Sequence, residues 1–309
     1  MASMAKLDRR RLRDEIHALY RTDHAELGAA GTAGLLERGR QWDLAPVLAA
    51  RGVVVFPHAR VRDCGHQIAA AVHACLDSGA DRVLVLSVLH AASDELEEAR
   101  VRVAAGEDPA RFPIWGIQGP GLPGREEWRQ DHALMSFRHF FASEVQRRGA
   151  RGPEVIERYP YLAGGHPDRL PGIEEVARLA EEAVVIATTD PFHHGLGYGD
   201  GPEQSLSPEA GGRELARRAI EEGIAILEGG DYPEYNAHCV VAKSDGRDVG
   251  QVFRFLRGPL RGRILDLVTS DTSAIYHQPA PTWVAGALVA WQPGGAPNSP
   301  DRPERAALE

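Results

Sequence analysis

The chain has little cysteine, almost no lysine, no excess of positive charge and no long apolar run. Among 309 residues there are three cysteines, Cys64, Cys75 and Cys239. An odd, irregularly spaced count builds no disulfide framework, and without a CxxC pair there is no signature of structural zinc; a reducing cytoplasm is the expected setting. Lys6 and Lys243 are the only lysines. Arginine therefore carries nearly all the positive charge, a usage read as genomic base composition. The formal charge of −9 offers no basic face for phosphates, which argues against nucleic acid as a main partner. No apolar stretch approaches the roughly 18 residues that span a bilayer, so no membrane is expected. The opening "MASMAKLDRRRLRDEIHALY" lacks the apolar centre of a signal peptide. Leu12, Ile16, Leu19 and Tyr20 follow the spacing of one helix face and predict an amphipathic helix of about 14 residues.

What is present is an ordinary globular balance, 43% hydrophobic and 26% charged. Hydrophobic runs at 53–56, 82–89 and 183–188 alternate with helical patterns at 65–78, 129–148, 173–181 and 209–228, with a further helix at 247–257. Two closing strands, 263–269 and 282–291, flank a turn. This alternation predicts an α/β fold: a mostly parallel central sheet covered by helices. No repeat or linker divides the chain, so one domain is expected over 1–292, with a helical segment 1–50 packed on it. The Pro/Gly/charge-rich tail 293–309 is expected to be disordered. A homo-oligomer is compatible with all of this.

Three strands end on histidines. "VVVFPHARVRDCG" carries His58, "DRVLVLSVLHA" carries His90, and "AVVIATTDPFHHG" carries His193 and His194. In open α/β sheets ligands bind just beyond the carboxyl ends of the strands, so the strands are read as delivering these histidines to one edge. Thirteen histidines in the chain leave the alternative that each is polar punctuation before a loop.

The motifs resemble those of the Memo family. "PHARVRDCGHQIAAAV" is similar to its Pro-His-Ala-Gly-Tyr-x-Tyr-Cys/Ser-Gly motif and alanine-rich helix, and "RVLVLSVLHA" to its strand ending in Ser-His-His. "DHALMSFRHFF" resembles its Glu-His-Ser helix, "TTDPFHHG" its Ser-Ser-Asp-Phe-x-His-x-Gly motif, and "TWVAGALVAW" its closing strand. The order holds over about residues 10–291. The resemblance implies the fold of the class III extradiol dioxygenases and a mononuclear metal site. His58 and His90 match ligand histidines, and His193 matches the histidine of the Asp-Phe-x-His motif. It departs at Arg60, Val61 and Asp63, and at Val88 and Leu89, so substrate preference does not follow. The family's Cys-Gly-Arg looks most like "SDGRDVGQVFRFL", which puts Asp245 where the cysteine would stand; a rival register uses Cys239.

The expectation is then a non-haem Fe(II) dioxygenase acting on a catechol-like or other chelating small molecule with O2. Two histidines and a carboxylate on one face suit that metal and leave positions open. His58, His90 and Asp245 would be the ligands, although Asp245 before Gly246 also fits a helix N-cap. His193 would be the acid/base or a further ligand. Asp190 would orient His193 or cap a turn. His194 would touch substrate or sit on an exposed loop. His132 would support the site from its helix or face solvent. Arg60 would bind a substrate carboxylate as a fork or lie on the surface. Cys64 reads as a packed small residue. "GLGYGDG" at 195–201 reads as a flexible loop, a candidate lid. The alternative class is a Memo-type metal-binding or scaffold protein without ring-cleaving activity.

Overall fold

The computed structural model describes residues 8–91, 93–278 and 280–294. The first half runs α1 (Arg9–Gly39), α2 (Ala45–Ala49), β1 (Val53–Phe56), α3 (Val61–Asp77), β2 (Arg82–Leu86), α4 (Asp94–Ala104), β3 (Gly116–Gln118) and α5 (Met135–Arg148). The second half runs β4 (Glu154–Tyr161), α6 (Ile173–Glu182), β5 (Val184–Thr188), β6 (Phe192–Gly195), α7 (Arg213–Gly229), α8 (Tyr232–Val241), α9 (Arg247–Arg257), β7 (Leu260–Asp271) and β8 (Thr282–Pro293).

The strands form one mixed sheet in the order β3-β4-β2-β5-β1-β8-β6, with β7 pairing β8 from outside this path. Its centre, β4-β2-β5-β1, is parallel, and β3, β6, β7 and β8 join antiparallel. Helices cover both faces. Val54, Phe56, Val83, Val85 and Ile186 pack in one apolar layer with α3 and α5; Val53, Val55, Leu84, Leu86 and Val185 pack in the other with α6, α7 and α9. Strands buried on both faces need no polar alternation, and this is why they read as continuous apolar runs.

The closing strands are longer than predicted, and the opening helix is much longer. α1 extends over 31 residues and bends at Gly28, whose φ is +59°. Its second half is rich in alanine and glycine and was unreadable as an apolar stripe. It packs through small residues instead: a Cβ on Gly39 would lie 2.7 Å from the Cβ of Ala69 on α3.

The predicted strand 82–89 ends its pairing at Leu86, although Val88 and Leu89 remain buried. The predicted helix 129–148 begins only at Met135. β3, β4, β6, α4 and α8 are short or carry no clear period and fall outside the predicted elements. All three cysteines are free and buried, and Cys64 donates to the carbonyl of Ala59 at 3.2 Å. No helix among the described residues is long and apolar enough to cross a membrane. The expected tail, apart from Pro293 and Gly294, lies outside the described residues.

Candidate metal centre

β2, β5 and β1 are adjacent and parallel, so their carboxyl ends share one edge. His58 follows β1 by two residues, His90 follows β2 by four, and Thr188 closes β5. The Nδ1 of His58 shares a 3.1 Å hydrogen bond with Thr188 Oγ1, and its backbone N–H donates to Asp190 Oδ1 at 3.1 Å. The Nδ1 of His90 lies 3.1 Å from Asp131 Oδ2, and its N–H donates to the same oxygen at 2.7 Å.

Asp245 enters from the loop between α8 and α9. Its Oδ1 accepts from Thr189 Oγ1 and from the N–H of Asp190, both at 2.8 Å. That approach requires Gly246, since a Cβ there would stand 2.2 Å from Thr189 Oγ1. Asp245 makes no cap bond to α9, so the N-cap alternative fails.

The other oxygen, Oδ2, is buried and accepts no hydrogen bond. Three imidazoles converge on it: Nε2 of His58 at 3.1 Å, of His90 at 3.7 Å and of His193 at 4.0 Å. The contact from His58 is close but not directed as a hydrogen bond. Nδ1 of His193 is likewise buried without a partner.

An unpartnered buried carboxylate oxygen among three imidazole nitrogens fits a divalent metal. The far sides of its donors are held by Thr188, Asp131, Thr189 and Asp190, the outer support that metal ligands usually have. Two groups have ligand atoms that all lie within 4.8 Å of one another: His58, His90 and His132, and His58, Asp190 and Asp245. The set centred on Asp245 is preferred because the three-histidine group leaves the open oxygen unexplained, and Asp190 already accepts the N–H of His58.

Charge in this cluster is strongly coupled. Burial disfavours the charged ring of His90, but Asp131 and Asp245 outweigh it and push its pKa up to about 10. His58 is also raised, burial being overcome by Asp190 and Asp245. Burial pushes Asp190 up to about 6 against the pull of His58. Asp245 goes the other way: burial would raise it, yet His58 and His90 hold it well below the carboxylate range. Burial drives His193 down to about 4 and His132 well below its ordinary value, in the latter case helped by His90.

The structure brings His58, His90, His193 and Asp245 together, and leaves other candidates elsewhere. His194 neighbours His193 on β6, but its Nδ1 pairs with Asp200 at 3.0 Å and its Nε2 accepts from Leu206 N–H at 3.0 Å; it packs on Trp283 and does not line the site. It is buried in a strand, not on an exposed loop. Arg60 also does not line the cavity described below: it forks onto Asp23 of α1 at 3.0 and 2.7 Å. Asp190 holds His58 rather than His193. His132 precedes α5 and is buried, stacked on His90 with ring centres 4.2 Å apart. Cys239 is buried on α8, and its thiol is pushed up to about 12 by burial.

The segment 195–201 is pinned rather than loose. Gly195 N–H donates to Asp200 at 2.7 Å and Gly197 N–H to Thr282 Oγ1 at 3.0 Å. Tyr198 from this segment sets its ring edge-on to His193, with centres 4.8 Å apart.

A cavity of about 420 Å³ opens on this cluster, lined by His90, His132, His193, Tyr198, Asp245 and several arginines of α1, α4 and α9. Sequence reasoning missed Asp131, Thr188 and Tyr198. Asp131 had a signal, an acid directly before His132; the other two had none. Models of known protein families and curated proteins give no match to this sequence.

Proposed function

We propose that this chain is a non-haem Fe(II)-dependent dioxygenase of the Memo and class III extradiol type, acting on a catechol-like or other chelating small molecule. His58, His90 and Asp245 are its metal ligands and His193 its acid/base. The open Oδ2 of Asp245 among three imidazoles is the observation that carries this reading.

Fe(II) held there would supply open coordination positions for a chelating substrate and O2. The protein's own part is positional and protonic. Thr188 and Asp131 fix the ring orientations of His58 and His90. Tyr198 flanks His193, and burial keeps that imidazole neutral. A neutral ring at the cavity wall can accept a proton from a substrate hydroxyl and return it later in the reaction. His132 walls the cavity beside His90, where it can contact the substrate. Arg60 has no part in substrate binding, and His194 none in the chemistry.

A second reading has a specific observation behind it. His193 stands nearly as close to Asp245 Oδ2 as His90 does, 4.0 against 3.7 Å. With His193 as a fourth ligand, the site would hold metal without room for ring cleavage, as a Memo-type binding or scaffold protein. Oxygen uptake by the Fe(II)-loaded protein with a panel of catechols tests the choice. Substrate-dependent consumption supports the dioxygenase; tight iron binding with no consumption supports the second reading.

A further inference from the structure

Beyond the metal centre, the cavity wall is rich in cations, and most are spoken for. Arg9 pairs with Asp94 at 3.7 Å and Glu97 at 3.4 Å, Arg13 with Asp14 at 2.9 Å, and Lys243 with Asp200. Two are not. Arg247 is only 4% exposed, yet its side chain makes no hydrogen bond among the described residues, and its Nη2 is buried without a partner. The adjacent Asp248 lends Arg247 some charge but no hydrogen bond, and burial still wins; its oxygens accept from the N–H groups of Leu162 at 3.2 Å and Ala163 at 2.8 Å. Arg100 of α4 has no carboxylate partner among the described residues; it reaches only the carbonyl of Ser244, at 3.4 Å.

Of the acids of the wall, Glu97 is engaged by Arg9, Glu127 through Oε1 by Arg125 and Asp131 by His90, while the open oxygen of Asp245 belongs to the metal centre and forms no ion pair with either arginine among the described residues. Leaving a buried charge unpaired is strongly unfavourable. A missing anionic partner explains the arrangement.

We propose that Arg247, with Arg100 on the same wall, binds an oxyanion of the substrate, a carboxylate or phosphate group, beside the metal-binding point. Arg247 follows Asp245 by two residues, and Arg100 contacts the residue before it. A substrate seated on Asp245's side of the cavity would therefore meet both. The planar fork of a guanidinium suits either oxyanion. The inference rests on reading this cavity as the substrate site, and it narrows the substrate to a chelating molecule that also carries an anionic group.

The test is calorimetric titration of the full-length protein, metal-free and Fe(II)-loaded under anaerobic conditions, with benzoate, inorganic phosphate and neutral benzyl alcohol. Benzoate or phosphate should bind and benzyl alcohol should not. Which of the two binds names the oxyanion. Arg247→Gln and Arg100→Gln should each weaken binding by about tenfold or more, the loss expected of a charged hydrogen bond. Arg13→Gln, a paired arginine of the same wall, should not.

Arg247→Met should melt no lower than wild type, because it removes an unpaired buried charge. A steep drop in its melting temperature would make Arg247 structural and overturn the proposal. Binding by neither oxyanion, equal binding of benzyl alcohol, or unchanged affinity in both glutamine variants would also overturn it. The metal-free arm does not depend on iron, so failure of the metal centre and failure of this site show separately.

Discussion

Glu144 and Asp245 are both buried carboxylates set among basic side chains, and they are finished differently. Glu144, on α5, has no vacant oxygen. Oε1 accepts from Arg40 at 3.0 Å, Arg147 at 2.8 Å and Arg148 at 2.8 Å, while Oε2 accepts from Arg147 at 2.6 Å. His73 of α3 stands 3.6 Å away. The cluster fastens α5 to α3 and to the end of α1. Asp245 has one oxygen anchored and one open toward three imidazoles. A closed buried charge ties elements together; an open one keeps an oxygen that no hydrogen bond fills. Residue type does not separate the two, but hydrogen-bond satisfaction does.

Substitutions at the two carboxylate clusters should have different consequences. At the open site, His193→Ala should keep its iron and lose about 10²–10⁴ in turnover, roughly 3–5 kcal/mol of barrier. Iron content and turnover measured on one sample check this. An iron-depleted variant would make His193 a ligand.

At the closed site, Glu144→Gln should cost about 1–3 kcal/mol of stability by weakening charged hydrogen bonds to part-exposed arginines, with metal content unchanged. Denaturant unfolding and metal analysis read the two effects. A metal loss matching the stability loss would erase the distinction.

Between them, Asp131→Asn should weaken metal affinity about 10–100-fold while the chain stays folded, because it loosens His90 without removing a ligand. A competition titration with a chelator measures it.

The smallest effect is in pH dependence. His90, raised to about 10, contributes stability that is fully present below its ordinary value of about 6.5 and lost as pH climbs through about 10. Metal takes the place of that proton, so metal loading should flatten the alkaline limb. Glu144 is lowered to about 2 because Arg147 and Arg148 overcome the effect of burial. Its contribution is present above about 4.3 and lost toward about 2, with or without metal. Melting temperatures across pH, with and without metal, should show one limb responding and the other not.

Much of this was legible in the sequence because the central strands are buried on both faces and end in histidines. Val53–Phe56 and Val184–Thr188 read as strands for that reason, and His58, His90 and His193 emerged with them. α9 was anticipated at Arg247–Arg257, because its apolar residues keep a clean helical period. Asp245 was visible only through the Gly246-Arg247 register; the structure adds the reason for the glycine, the contact with Thr189.

What escaped depended on contacts between distant segments. Nothing local tells that Arg60 is taken by Asp23, 37 residues earlier. Nor does anything local tell that Asp131 holds His90, or that neighbouring His193 and His194 face different surroundings. The last follows from β6 being a strand, whose side chains alternate. A four-residue strand reading "FHHG" carries too little pattern to show it.

Everything proposed for the site follows from a metal on the open oxygen of Asp245. The most direct measurement is iron stoichiometry after anaerobic Fe(II) loading and desalting, in wild type, Asp245→Ala and Cys239→Ala. One iron per chain is expected in wild type and in Cys239→Ala, with loss of tight binding in Asp245→Ala. Full iron retention in Asp245→Ala, or loss confined to Cys239→Ala, would contradict it.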